Sequence, residues 1–141
     1  MKFWDTSAIV PLCVDEPATG VLHRLATSDP DFVVWWSTRT ECLSALARRR
    51  RERQIKPATD ERARRILREL FGVWAEILPS ETVRQRSERL LTVHALGAAD
   101  AFQLAAALLW SRGRTSDQGF VCLDDRLREA AEREGFQVLP S

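Results

Sequence analysis

Asp5 is a carboxylate in a place where a charge is unexpected. It follows a short apolar and aromatic run, Phe3-Trp4, and precedes two hydroxyl residues, Thr6-Ser7, so a short buried strand would deliver it to that strand's C-terminal edge. A carboxylate there must be solvated in a cleft, paired, or bound to a cation. From this stretch alone, a helix N-cap explains Asp5 equally well.

Three further acids occupy comparable positions. Asp124 directly follows the apolar run 120–123, Glu41 falls in the first turn of a predicted helix, and Asp100 opens an apolar helix. Each alone has a simpler explanation, because Asp100 and Asp124 resemble helix caps and Glu41 complements a helix dipole. Ligands of an open parallel sheet bind beyond the carboxyl ends of its strands, so we expect all four carboxylates to converge on that rim.

The chemistry expected of such a rim is hydrolysis of phosphate esters. Four neighbouring carboxylates raise one another's pKa unless cations lie between them. Oxygen ligands without Cys or His select a hard divalent ion, Mg²⁺ with Mn²⁺ as a possible substitute. Such an ion activates water and stabilises the leaving oxygen of a phosphodiester. The four acids therefore predict a metal-dependent phosphodiesterase.

Short strands alternate with helices along the chain. Apolar runs predict strands near residues 2–4, 32–35, 77–78, 120–123 and 136–139. Between them, apolar residues at helical spacing predict helices from Ser37 or Thr38 to about Arg53, and over the segments 60–74, 80–94 and 101–110. A last helix begins at Asp124 and is stopped by Gly135. This order predicts a three-layer α/β/α sandwich with a short parallel sheet.

We expect the helix capped by Ser80 to turn Val83, Leu90 and Leu91 inward. We expect the helix 101–110, which is apolar on nearly every face, to be central and buried.

Composition predicts one soluble domain over residues 1–141. The chain is 45% hydrophobic and 29% charged, as in ordinary globular proteins. Its longest apolar run, 104–110, falls short of the roughly 20 residues that span a bilayer. Three widely separated cysteines, Cys13, Cys42 and Cys122, argue against a zinc site and a disulfide framework. We expect a cytoplasmic protein with reduced thiols and no membrane contact.

The arginine run 48–53 leaves two interpretations open. Its cations could bind RNA phosphates or an acidic partner segment. They also complement the C-terminal dipole of a helix, and four successive arginines splay around it, which favours a solvated face.

Together these motifs resemble the PIN domain, most closely the VapC-type toxins of toxin-antitoxin pairs. The resemblance extends over essentially the whole chain and rests on four motifs in order: Asp5-Thr6-Ser7, Thr38-Arg39-Thr40-Glu41, Ala99-Asp100-Ala101 with the helix behind it, and residues 120–127 with Ala130-Ala131 and Gly135.

The resemblance implies an endoribonuclease in which Asp5, Glu41, Asp100 and Asp124 hold one or two Mg²⁺ or Mn²⁺ ions. It also implies a homodimer and a small cognate antitoxin protein that blocks the site in a hetero-oligomer. Ser7 matches a polar position that orients the acids. Cys122 departs from the family, which often has Thr there, and a thiol is the poorer hydrogen-bond donor. Asp125 could replace or assist Asp124.

Two other functions fit parts of the pattern. One is a catalytically silent PIN-like binding or regulatory module, against which the presence of all four acids argues. The other is an aspartyl phosphotransferase of the haloacid-dehalogenase type with Asp5 as nucleophile. That chemistry usually needs a second Asp at the position of Ser7, so it is disfavoured.

Overall fold

A five-stranded, all-parallel sheet forms the centre of the molecule. The computed structural model describes residues 1–141. The strand order is β3-β2-β1-β4-β5, so the chain builds outwards from β1 in one direction and then returns to its other side. The strands are β1 (Lys2–Trp4), β2 (Phe32–Trp35), β3 (Ala75–Ile77), β4 (Gly119–Val121) and β5 (Gln137–Leu139).

Seven helices connect and cover these strands. They are α1 (Thr6–Cys13), α2 (Thr19–Ser28), α3 (Thr38–Arg51), α4 (Pro57–Phe71), α5 (Glu81–Val93), α6 (Ala98–Ser111) and α7 (Asp125–Arg133). No single helix is long and apolar enough to cross a membrane, although the bent pair α5 and α6 meets that criterion by length and composition only.

Alternation along the strands sends side chains into two apolar layers. Phe3 and Phe120 point to one face of the sheet, where they pack with the apolar sides of α5, α6 and α7. Trp4, Val34 and Val121 point to the other face and pack with α1, α3 and α4. Because a parallel sheet must be covered on both faces, the result is the predicted three-layer α/β/α sandwich.

Some local predictions need correction. The segment Thr6–Cys13 forms helix α1, whose start was only an alternative expectation (Asp5 as an N-cap) and whose extent was not predicted, because an apolar run that contains Pro11 has no readable period. Leu91 is 44% exposed, whereas Val83 and Leu90 are fully buried as expected. Helix α6 begins at Ala98 with Gly97 as its N-cap, so Asp100 lies within the first turn and does not cap the helix.

Candidate functional site

An acidic cleft of about 590 Å³ lies beyond the carboxyl ends of β1 and β4. These strands are neighbours at the point where the chain reverses its direction across the sheet, which is the usual ligand position in open α/β sheets. All four acids predicted from the sequence line this cleft, and so does a fifth acid that was not predicted; the set is Asp5, Glu16, Glu41, Asp100 and Asp124.

Asp5 is the most enclosed of these acids, with 4% of its surface exposed. Its Oδ2 accepts hydrogen bonds from the Ser7 backbone N–H at 2.9 Å and from Ser7 Oγ at 2.6 Å. Asp5 therefore caps α1, and Ser7 supports its carboxylate, so the cap and the site role coexist. Burial raises the pKa of Asp5 and the negative charge of Glu41 raises it further, whereas the Ser7 hydrogen bonds lower it.

Ser7 also ties β4 to the site. Its Oγ accepts a hydrogen bond from the Leu123 backbone N–H at 2.9 Å while donating to Asp5. The single hydrogen of the Cys122 thiol is shared between two long contacts, to Asp5 Oδ2 at 3.6 Å and to the backbone oxygen of Asp124 at 3.7 Å. Cys122 therefore contacts the Asp5 carboxylate and the Asp124 main chain but gives the Asp124 carboxylate no hydrogen bond.

Glu41 reaches the cleft from the first turn of α3. Its Oε2 accepts hydrogen bonds from Ser37 Oγ at 2.8 Å and from Gln103 Nε2 at 2.9 Å. Burial raises the pKa of Glu41 and the charge of Asp100 adds to this effect, whereas hydrogen bonds from Ser37, Gln103 and, more weakly, Thr6 lower it. Ser37 occupies the N-cap position of α3, but its hydroxyl donates to the Glu41 side chain and makes no capping hydrogen bond to the backbone.

Asp100 and Asp124 complete the rim. Partial burial, with the charges of Asp5 and Asp124 nearby, raises the pKa of Asp100 to about 6. Asp124 Oδ1 accepts from the Leu127 N–H at 2.9 Å, so Asp124 caps α7 as predicted and has its second oxygen available. Asp125 lies in the first turn of α7 and does not line the cleft, so the geometry favours Asp124 as the site acid.

Two arginines form a basic wall of the same cleft. Arg48 and Arg49 line it, and Arg49 Nη2 pairs with Glu16 Oε1 at 2.6 Å. Arg50 instead faces Asp60 at 3.9 Å on α4, and Arg51 and Arg53 are exposed away from the cleft. The run 48–53 thus splays around its helix, and only two of its members are placed to meet a ligand in the cleft.

Of the polar residues around the acids, Ser7 was predicted from the sequence as a support, whereas Gln103 and Glu16 were missed. Gln103 lies on α6 one turn after Asp100, in a helix read as wholly apolar, and its isolated amide was the signal that could have identified it. Glu16 had no comparable signal, because it lies in the loop after α1 and only the folded chain brings it to Arg49.

The donor set of the cleft fits a hard divalent cation in its chemistry. The acids provide carboxylate oxygens without Cys or His, and the pKa values of Asp5, Glu41 and Asp100 are raised by burial and mutual repulsion, which a cation would relieve. As the side chains stand, no three His, Cys, Asp or Glu residues lie close enough together to hold a metal ion. Repulsion between carboxylates is the physical reason to expect such spreading.

Fold and cleft together define a three-layer α/β/α protein with an acidic site at the carboxyl edge of its sheet. Its fold is similar to that in the crystal structure of PAE2754 from Pyrobaculum aerophilum, with a TM-score of 0.63 and 16% sequence identity over 98% of this chain and 88% of that chain. At that identity the likeness extends to the fold alone. No protein-family model and no curated protein sequence matches the chain.

Proposed function

We propose that this protein is a metal-dependent endoribonuclease that hydrolyses RNA phosphodiester bonds. The observation that carries the proposal is the convergence of Asp5, Glu41, Asp100 and Asp124 on one cleft from four separate parts of the chain. Raised carboxylate pKa values in a cleft are typical of functional sites, because folding gains nothing from gathering like charges there.

The residues divide into binding, orienting and charge-complementing groups. Asp5, Glu41, Asp100 and Asp124 would hold Mg²⁺ or Mn²⁺, which supplies Lewis-acid activation of the phosphodiester and of water when bound. Ser7 and Ser37 fix the carboxylates of Asp5 and Glu41 through hydrogen bonds. The guanidinium groups of Arg48 and Arg49 supply positive charge on the cleft wall for the phosphates of a nucleic acid.

The resemblance to VapC-type toxins suggests the biological setting. On that basis we propose a cytoplasmic toxin of a toxin-antitoxin pair, acting as a homodimer and held inactive in a hetero-oligomer with its cognate small antitoxin protein. An acidic segment of that antitoxin could pair with the arginines of the run 48–53 that lie outside the cleft.

The test compares purified wild type and Asp5→Asn on structured RNA with Mn²⁺. Because outer-sphere partners of metal ligands alone change activity by about 10- to 100-fold, loss of a ligand should reduce cleavage by at least about 100-fold. Asp31→Asn, an exposed acid away from the cleft, is the matched control and should cleave normally. Cleavage by Asp5→Asn that is undiminished and insensitive to EDTA would refute the mechanism.

One observation favours a second candidate, a catalytically silent PIN-like binding or regulatory module. The acids of the cleft do not form a ready metal-binding group in the arrangement described. Isothermal titration with Mn²⁺ separates the two functions. A submillimolar dissociation constant in wild type that is lost in Asp5→Asn supports the nuclease. The absence of binding tighter than millimolar supports the silent module.

A further inference from the structure

Gln103 is a fully buried polar residue that joins three helices beneath the acidic cleft. From α6, its Nε2 lies 3.2 Å from Thr6 Oγ1 on α1, 3.0 Å from Thr38 Oγ1 on α3, and 2.9 Å from Glu41 Oε2. An amide nitrogen carries only two hydrogens, so these three acceptors share them. The nitrogen end of this amide is therefore fully used.

The oxygen end of the same amide is not used at all. Gln103 Oε1 is buried and has no hydrogen-bond partner, which destabilises the folded state. An apolar side chain such as Leu would avoid that penalty among its neighbours Leu104 and Ala106. Packing alone thus gives no reason for an amide at this position.

The charge of Glu41 explains both the amide and its orientation. An ionised carboxylate only accepts hydrogen bonds, so it requires the nitrogen of Gln103 and would repel the oxygen. Ser37 and Gln103 both donate to Glu41 Oε2, the Thr6 hydroxyl adds a weaker contact to the carboxylate, and Oε1 accepts neither of the two short bonds. The two donors therefore fix one oxygen of the carboxylate and leave the other for the cleft that Glu41 lines.

We infer that Gln103 is a positioning residue, which holds Glu41 through Oε2 so that Oε1 is presented to the cleft. The functional part of this inference rests on the proposed nuclease activity. Gln103 is fully buried, so it acts on substrate and cation only through Glu41. Because Gln103 lies one helical turn from Asp100, it also sets the position of Glu41 relative to a second acid of the site.

The test measures Gln103→Leu and Gln103→Glu beside wild type. Gln103→Glu keeps the shape of the side chain and replaces its NH₂ group with a carboxyl oxygen. It provides a second test of the same hydrogen bond if Gln103→Leu does not fold. Ser111→Ala is the matched control, since Ser111 is a buried polar residue of α6 whose hydroxyl bonds only to Leu108 O. The measurements are kcat and KM on structured RNA, Mn²⁺ affinity by titration calorimetry, and the Glu41 side-chain conformation in crystals of each variant.

Gln103→Leu should lower kcat and Mn²⁺ affinity by about 10- to 100-fold each, as for other groups that orient metal ligands, with KM within about twofold of wild type. Glu41 should leave its position in both Gln103 variants and keep it in Ser111→Ala. Normal kcat and Mn²⁺ affinity with Glu41 in its wild-type position would show that Gln103 does not position Glu41. If wild type neither cleaves RNA nor binds Mn²⁺, the nuclease proposal fails, and the Glu41 conformation alone decides whether Gln103 positions it.

Discussion

Replacing Asp100 with Asn should stabilise the cation-free fold at neutral pH. Partial burial, with the charges of Asp5 and Asp124 adding to it, raises the pKa of Asp100 from 3.8 to about 6, so its ionised form is disfavoured in the folded state. Asparagine has nearly the shape of the protonated acid and carries no charge. The substitution therefore removes repulsion within the cleft and leaves packing almost unchanged.

The magnitude follows from the two pKa values. A rise of about two pH units corresponds to about 3 kcal/mol at about 1.4 kcal/mol per unit. Asp100 is only partly buried, and solvent screening reduces the effect to about 1 kcal/mol. For a chain of 141 residues, this corresponds to a rise in Tm of about 3 °C.

The direction of the pKa shift determines how the stability difference between Asp100→Asn and wild type changes with pH. A carboxyl whose pKa is raised by folding contributes stability that is full below its unfolded pKa of 3.8 and is lost as pH rises through about 6. The stability advantage of Asp100→Asn should therefore be small at the acid end of this window, grow across it, and reach a plateau above it. The advantage should be absent in Asp31→Asn, whose carboxylate is exposed away from the cleft.

Urea denaturation of both proteins in EDTA, at a series of pH values from acid to alkaline, measures the difference in free energy of unfolding. A variant that is no more stable than wild type above the window would refute the repulsion argument. So would an advantage that does not change with pH, because it would have to arise from packing. Added Mn²⁺ should reverse the order, since wild type gains the stabilisation that the variant has lost.

Three further measurements address other parts of the site. Glu16→Gln should free Arg49 to bind phosphate and so lower the KM for RNA at unchanged kcat. Arg49→Ala should raise the KM and make it depend less on salt concentration. Equal KM values in wild type and both variants would show that Arg49 does not bind RNA. Ser7→Ala leaves the Leu123 N–H without its acceptor and should lower the free energy of unfolding in urea by about 1–3 kcal/mol, so a neutral result would contradict the hydrogen-bond assignment. Mn²⁺ at about 100 times its dissociation constant should stabilise wild type by about 2.7 kcal/mol in thermal unfolding, and the same shift in Asp5→Asn would place the ion elsewhere.

The elements that carry the fold could be predicted because their patterns are local. Phe32–Trp35 is a compact β-branched and aromatic run, and it forms β2 with all four residues buried. Ser80 accepts a hydrogen bond from the Val83 N–H at 3.2 Å, so the predicted start of α5 is confirmed. Helix α1 could not be predicted, because its stability comes from burial between α2, α3 and α4 and leaves no period in the sequence.

For the cleft, the convergence of the acids and the local support of Asp5 by Ser7 were predictable, but the support from distant residues was not. Strand ends and helix starts are local features, and parallel topology then brings them to one edge. The bonds from Gln103 to Glu41 and from Arg49 to Glu16 join positions separated by 62 and 33 residues. Such pairs depend on how helices pack, and nothing in either local sequence specifies the partner.

The acids of the cleft differ in the hydrogen bonds that support them, although the pKa values of Asp5, Glu41 and Asp100 are all raised. Asp5 and Glu41 receive hydrogen bonds at one carboxylate oxygen, which lower their pKa values in part, although burial keeps both pKa values raised. Asp100 has no comparable donor, and its pKa is raised to about 6. Without a cation, Asp100 therefore takes up a proton as pH falls through about 6, and a bound cation would have to displace that proton. Cation binding should accordingly release a proton and weaken as pH falls through about 6, whereas Asp100→Asn should bind more weakly and lose the part of that pH dependence that Asp100 contributes.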